Sequence, residues 1–290
     1  MDVRRFLEWA TERGVLIKVD DAVNPNLELA QLIFALDGKP VLFRELRDYP
    51  GWRSVSGMCA QREFFAAALG CTVDELIPRM TEAMDAPRMP PVLHGGPCQA
   101  VVAPLDLTQL PIPRYHPKDG GPYITAGVTV VRDPLLGRNL SFHRLMVLDE
   151  RRFAARIVEG RGTHTALTRV DGDLPVAVAI GAPIQVLLAA AMSPEKGVDE
   201  LSIAHALAPT PMVPCQTVDL EVPADAELIL EGRIKSERAP EGPFPDLTGT
   251  MDRVREQPVI EVDHNIHRPN PIFHALLPGG MEHKNLMGMP

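Results

Sequence analysis

Residues 174–191 read Leu174-Pro175-Val176-Ala177-Val178-Ala179-Ile180-Gly181-Ala182-Pro183-Ile184-Gln185-Val186-Leu187-Leu188-Ala189-Ala190-Ala191. Leu174 to Gly181 is a β-like run bounded by turn residues, and Ile184 to Ala191 reads as a helix entered through Pro183. Further β-like runs lie on both sides of it: Tyr123 to Arg132, Asn139 to Leu148, Arg152 to Glu159, Cys215 to Val222, Leu228 to Lys235 and Val259 to His264. Turns such as Asp133-Pro134 and Asp171-Gly172 separate them, and a second helix is expected from Gly197 to Leu207. Residues 116–290 therefore predict a β-rich barrel or sandwich with a helical insertion.

Residues 1–115 have a different texture. Val3 to Glu12 is an amphipathic helix with Phe6, Leu7 and Ala10 on one side; Gly14 stops it and Val15-Leu16-Ile17 starts a strand. A helix from Leu27 to Leu36, the turn Asp37-Gly38-Lys39-Pro40, the strand Val41-Leu42-Phe43, and helices from Gln61 to Leu69 and Val73 to Met80 follow. This alternation predicts a first α/β domain, and the chain as a whole is expected to be α+β. From Ala86 to Pro117, prolines recur too densely for a long helix or a central strand, so the stretch reads as an extended crossing. Met281 to Pro290 reads as a ragged end.

The chain has 290 residues, 45% hydrophobic and 23% charged, with a formal net charge of -9. That balance argues against nonspecific nucleic-acid binding, which asks for a basic surface, and leaves room for a small anionic substrate held by a local cation. No membrane-length apolar run and no signal-peptide pattern are visible, so a cytoplasmic protein is expected. Cys59, Cys71, Cys98 and Cys215 lack the paired spacing of a zinc or iron-sulfur site and read as ordinary thiols.

Three segments carry candidate chemistry. Along Asn139-Leu140-Ser141-Phe142-His143-Arg144, period-two alternation sends Asn139, Ser141 and His143 one way and Leu140, Phe142 and Arg144 the other. This suits a ligand-facing strand or a half-exposed one. Asp199-Glu200 opens a helix, where carboxylates serve equally as caps or as oxygen ligands for a hard cation. In Glu241-Gly242-Pro243-Phe244-Pro245-Asp246, two carboxylates flank a stiff turn. If both entered one cavity beside an arginine, one could stay ionised while the other carried a proton; on the surface they would form an acidic turn.

In order and spacing, several segments resemble the UbiD family of decarboxylases. They are Pro122-Tyr123-Ile124-Thr125-Ala126-Gly127, Asp133-Pro134 with Arg138-Asn139 and Arg144, Pro175 to Ala182, Asp199-Glu200, and Val222-Pro223-Ala224-Asp225-Ala226-Glu227 with Leu230-Glu231-Gly232. The match continues through Glu241-Gly242-Pro243-Phe244 and Thr248-Gly249 to Pro271-Ile272-Phe273-His274. The resemblance implies an N-terminal α/β domain over 1–115 and a split β-barrel flavin-binding domain over 116–290. It also implies a further C-terminal domain that contributes to oligomerisation, and a homo-oligomer where that domain is present.

By the same resemblance, the cofactor is prenylated flavin mononucleotide (prFMN), obtained from a flavin prenyltransferase. Asn139, Leu140, Ser141, Phe142, His143, Arg144, Thr163, His164, Met192 and Glu200 would line its site. Asn139, His164 and Glu200 would hold Mn²⁺ or Mg²⁺ against its phosphate, with K⁺ on Glu200 and carbonyls near Ala190 and Met192. Arg144, Glu241 and Asp246 would be catalytic, with Asp246 the preferred proton donor. The sequence departs from the family pattern at Thr163, often glutamine; at Pro245, commonly glycine; at Asp246, where a glutamate has one more methylene; and at Ala182-Pro183-Ile184. The implied reaction is reversible, non-oxidative loss of CO₂ from an aromatic, heteroaromatic or α,β-unsaturated acid. A carboxylase, or a noncatalytic partner subunit that keeps the fold, are the alternatives.

Overall fold

The structure, a computed structural model, describes residues 1–289. The N-terminal elements build a small sheet in the order Ile17–Val19, Val41–Phe43, Arg53–Ser56, Ile272–His274. Helices Val3–Glu12, Glu28–Ala35, Arg62–Leu69 and Leu76–Asp85 accompany it. The first helix buries Val3, Phe6, Leu7 and Ala10, the apolar face legible in its sequence, and Asp2 caps it by accepting from the Arg5 amide.

The larger sheet has nine strands. Its path runs Tyr123–Ile124, Leu145–Val147, Arg152–Ala155, Arg255–His267, Leu228–Glu241, Leu174–Ile180, Val128–Asp133 and Gly137–Phe142, with Val101–Ala103 added beside Arg255–His267. The two end strands of that path do not pair with each other. The sheet is therefore open among the described residues, and the closed part of the barrel expectation is not seen. Leu174–Ile180 lies inside the sheet with nearly every residue buried, which its near-continuous apolar run requires. Helices Ile184–Ala191 and Glu200–Leu207 pack together and against Gly137–Phe142.

Several expected strands are cut differently. Tyr123 to Arg132 divides at Gly127, where an added Cβ would lie 2.8 Å from Val178 and 2.9 Å from Ile124, so the chain must turn in close contact. Asn139 to Leu148 divides at His143-Arg144, both of which dock on the Arg156 backbone. Cys215 to Val222 is not one strand: Met212–Pro214 and Glu221–Pro223 form a hairpin around a loop. The cause is Glu231, fully buried, whose carboxylate accepts from the Gln216 and Thr217 amides and the Thr217 hydroxyl. Helices Gly162–Arg169 and Met281–Gly288 occupy stretches that carry no apolar period.

Sheet pairing also crosses the division at residue 115. Val101–Ala103, inside the proline-rich crossing, joins the large sheet, and Ile272–His274 returns to pair in parallel with Arg53–Ser56 of the small one. No helix among the described residues is long and apolar enough to cross a membrane.

Candidate active site

Strand Gly137–Phe142 forms one wall of a cavity of about 510 Å³, within the range that holds a cofactor-sized ligand. Asn139, Ser141, His143, Thr163, Met192 and Glu200 line it, together with Leu140, Phe142, Arg161 and Lys196. The expected alternation holds for the polar residues. Ser141 Oγ lies 3.0 Å from His143 Nε2 and 2.9 Å from Thr163 Oγ1, and His143 Nε2 is 2.9 Å from Thr163 Oγ1.

His143 is neutral at physiological pH, because burial pushes its pKa down to about 4. Its Nδ1 lies 3.2 Å from the Arg156 carbonyl, which can only accept, so Nδ1 carries the proton and Nε2 accepts from the hydroxyls. Its partners make it a fixed hydrogen-bonding post.

The two readings of Asp199-Glu200 separate cleanly. Asp199 is the helix cap, accepting from the Leu201 amide at 3.0 Å, and it is held by Arg138, which also binds Glu221. Glu200 does not cap the helix. It is buried at the cavity wall and accepts from the Leu140 amide at 2.9 Å. Desolvation dominates and raises its pKa to about 7, and it has no ion-pair partner among the described residues. Beside it on the cavity wall, Asn139 has a buried Nδ2 with no hydrogen-bond partner. The two ends of an amide are interchangeable by rotation, so the orphaned position can equally present an oxygen. A buried, unpaired carboxylate and an unsatisfied amide together fit a divalent cation with oxygen ligands. Among the described residues no three His, Cys, Asp or Glu side chains are grouped to hold a metal, so this pair would supply only part of a coordination shell.

His164 is not among the residues lining this cavity. At the first turn of Gly162–Arg169, Thr163 takes the inward position, and His164 is rotated about 100° around the helix. It lines a separate cavity of about 260 Å³ with Ile157 and Lys235, and its Nδ1 accepts from the Gly160 amide. Gly162 packs on Asn139: a Cβ there would lie 1.8 Å from Asn139 Oδ1. Gly162→Ala is therefore expected to displace the Asn139 side chain, read as a shift of its side-chain amide resonances in ¹⁵N-labelled protein.

The second cluster lies beyond the other end of that strand. Arg144 grips Glu241 through Nε to Oε1 at 2.8 Å and Nη2 to Oε2 at 2.9 Å, and Tyr123 donates its phenol to Oε1 at 3.0 Å. Glu241 is 0% exposed. Burial, with Glu241 adding to it, raises the Tyr123 pKa far above the ordinary phenol range, so the phenol stays a donor. Arg144 lies over the Phe244 ring, which packs on Tyr123 at 4.0 Å between centroids.

Asp246 is not brought to this cluster. It sits in an exposed turn and accepts from its neighbour, the Leu247 amide. Asp252 is present instead, accepting from Arg144 Nη2 at 3.0 Å. Nothing in the segment Met251-Asp252-Arg253-Val254-Arg255 distinguishes Asp252 from a surface charge. Tyr123 had a signal, a polar-tipped ring in an apolar run whose hydroxyl needs a buried partner.

Comparison with known proteins agrees in sequence and shape. The family model described as the 3-octaprenyl-4-hydroxybenzoate carboxy-lyase Rift-related domain, UbiD, matches residues 92–281, and the corresponding N-terminal domain matches residues 7–84. An anhydromevalonate phosphate decarboxylase of Methanothermobacter thermautotrophicus is 40% identical over 99% of this chain and 68% of its own length. One from Methanocaldococcus jannaschii is 37% identical over 93% of this chain and 64% of its own. The evolved dimeric form of the UbiD-class enzyme HmfF from Pelotomaculum thermopropionicum, in complex with prFMN, superposes with a TM-score of 0.96 at 36% identity, covering 99% of this chain and 70% of that one. The chain thus spans about two thirds of the length of these relatives.

Proposed function

The chain belongs to the UbiD family of carboxy-lyases, and from that premise we propose that it removes CO₂ from an α,β-unsaturated, aromatic or heteroaromatic acid with prFMN bound in the 510 Å³ cavity. The observation that carries this reading is the continuity of one backbone segment. Asn139 and Glu200 stand at its cavity end, and Arg144 with buried Glu241 at the other. The similarity to proteins named anhydromevalonate phosphate decarboxylases supports, within that range, an acid that also bears a phosphate.

Asn139 and Glu200 would hold Mn²⁺ or Mg²⁺ against the cofactor phosphate, and K⁺ would sit beside Glu200 and Met192. Arg161 and Lys196 add positive charge at the same wall. When bound, prFMN supplies the electron sink that no side chain offers. Arg144 orients the substrate carboxylate while gripping Glu241, and Tyr123 fixes the orientation of Glu241. Asp246 is the proposed proton donor to the product. Because its carboxylate faces the turn tip in this structure, that role requires the tip to approach Arg144.

Reconstitution with prFMN and Mn²⁺, followed by a screen of phosphorylated and unphosphorylated unsaturated acids and aromatic acids, tests the reading. CO₂ release from one class is expected. A loaded protein that neither releases CO₂ nor exchanges labelled CO₂ with any product would sink it and favour a noncatalytic subunit; net turnover only under high CO₂ would favour a carboxylase. Asp246→Asn is expected to lower kcat about a hundredfold and to change stability by less than about 0.5 kcal/mol, since asparagine can still cap the turn. Wild-type turnover by that variant would assign the proton step to Glu241.

A further inference from the structure

The hairpin that follows Glu241 grips Arg144 from two sides. Its strands are Phe244–Pro245 and Met251–Asp252, with Phe244 and Asp252 directly opposite in register. The Phe244 ring lies under the guanidinium, with Cζ 5.3 Å from the centroid, and Asp252 Oδ2 accepts from Nη2 at 3.0 Å. The other carboxylate oxygen of Asp252 binds Arg255. Charges thus alternate from the interior outward: Glu241, Arg144, Asp252, Arg255. Glu241 is fully buried, the Arg144 and Asp252 side chains are 15% and 20% exposed, and Arg255 is 30% exposed.

Geometry gives this arrangement a specific consequence. A guanidinium held only by Glu241 is fixed in its own plane by the bidentate contact but can still tilt out of that plane about it. A second carboxylate on Nη2, with an aromatic face beneath, removes that freedom. The same Nη2 serves both carboxylates, so any movement of Asp252 is felt at the Arg144–Glu241 contact. The hairpin that carries Asp252 at its base also carries Asp246 toward its tip. Its base contact with Arg144 therefore sets where that tip stands relative to the buried pair.

We propose that Asp252 is a positioning residue for the decarboxylation, fixing Arg144 against Glu241 and seating the hairpin that bears Asp246. This rests on the function proposed above, but its geometric core concerns Arg144 alone and can be tested without turnover. Asp252 does not touch the reacting atoms; it acts through Arg144.

The test uses the full chain with Asp252→Asn and Asp252→Glu. In ¹⁵N-arginine-labelled apo-protein, hydrogen exchange at Arg144 Nε, assigned by its loss in Arg144→Lys, is expected to speed up at least about tenfold in Asp252→Asn and to return toward wild type in Asp252→Glu. In loaded enzyme, kcat is expected to fall about tenfold to a hundredfold in Asp252→Asn with KM changed less than about threefold, and the glutamate variant should recover most of the loss. An unchanged Nε–H exchange rate in Asp252→Asn overturns the proposal whether or not the wild type decarboxylates any acid. Equal losses in both variants, with lowered melting temperature and no recovery by glutamate, overturn it as a merely structural contact. Failure of wild-type turnover alongside the expected exchange pattern strikes the functional reading and leaves the positioning of Arg144 standing.

Discussion

Glu241→Gln is expected to lower kcat/KM of the cofactor-loaded enzyme by about 10³, because it removes the carboxylate that holds Arg144 in place for the substrate. Both Glu241 oxygens accept from Arg144, and Oε1 also accepts from Tyr123. Glutamine offers one oxygen and one NH₂, so either Nε or Nη2 of Arg144 would face another donor. The charge is lost where no water can replace it, since Glu241 is 0% exposed. Among the described residues, Asp252 would then be the only carboxylate on Arg144. Breaking one side of a buried ion pair costs about 3 kcal/mol or more, so the apo-protein should also melt several degrees lower. Single-turnover kinetics and thermal unfolding check both parts, and a variant that keeps more than about a tenth of wild-type kcat/KM refutes the assignment.

Glu200→Gln should have opposite effects on the empty and the loaded protein. Burial lifts the Glu200 pKa from an ordinary 4.5 to about 7. Because the folded value is the higher one, the associated stability is complete below about pH 4.5 and is lost as pH rises through 7. That change amounts to about 3 kcal/mol at most. Apo wild-type protein should therefore lose stability between pH 5 and pH 8, and Glu200→Gln, which has no proton to lose, should melt higher than wild type at pH 8. Its glutamine oxygen can still accept from the Leu140 amide, the contact Glu200 makes now. With Mn²⁺ and prFMN the order should reverse, because only the ionised carboxylate gains from the cation. Melting curves at pH 5 and pH 8, with and without metal and cofactor, decide it. A variant less stable than wild type at pH 8 without ligands would show that Glu200 has a cationic partner of another kind.

Much of the fold was legible because local pattern and burial agree. The apolar run at Leu174–Ile180 and the amphipathic face of Val3–Glu12 are buried where their sequences place them. Misreadings arose where a distant residue decides the backbone. Cys215 to Val222 looks like a strand, yet Glu231, several residues later in sequence, gathers its amides into a loop. The site divides in the same way. Glu241 and Arg144 were readable as residue types suited to proton handling, but Asp252 was not, because its partner lies 108 residues earlier in the chain. Asp199 and Glu200 were equivalent in sequence, and only the position of Arg138 and the Leu140 amide gives them different tasks. His164 was assigned from its neighbours in sequence, whereas the rotation of a helix the pattern did not reveal puts Thr163 inward instead.

The return of Ile272–His274 to the small sheet means that order along the chain and order in space are different. Its neighbour strand is Arg53–Ser56, and His274 meets Glu282, which also accepts from the amides of Gly57 and Cys59. A cut anywhere in the proline-rich crossing would sever one covalent link and leave these contacts as a clasp between the fragments. The N-terminal sheet consequently has no self-sufficient edition: its fourth strand, Ile272–His274, is on loan from beyond the large sheet, and nothing that excises residues 1–115 takes the whole of that sheet with it.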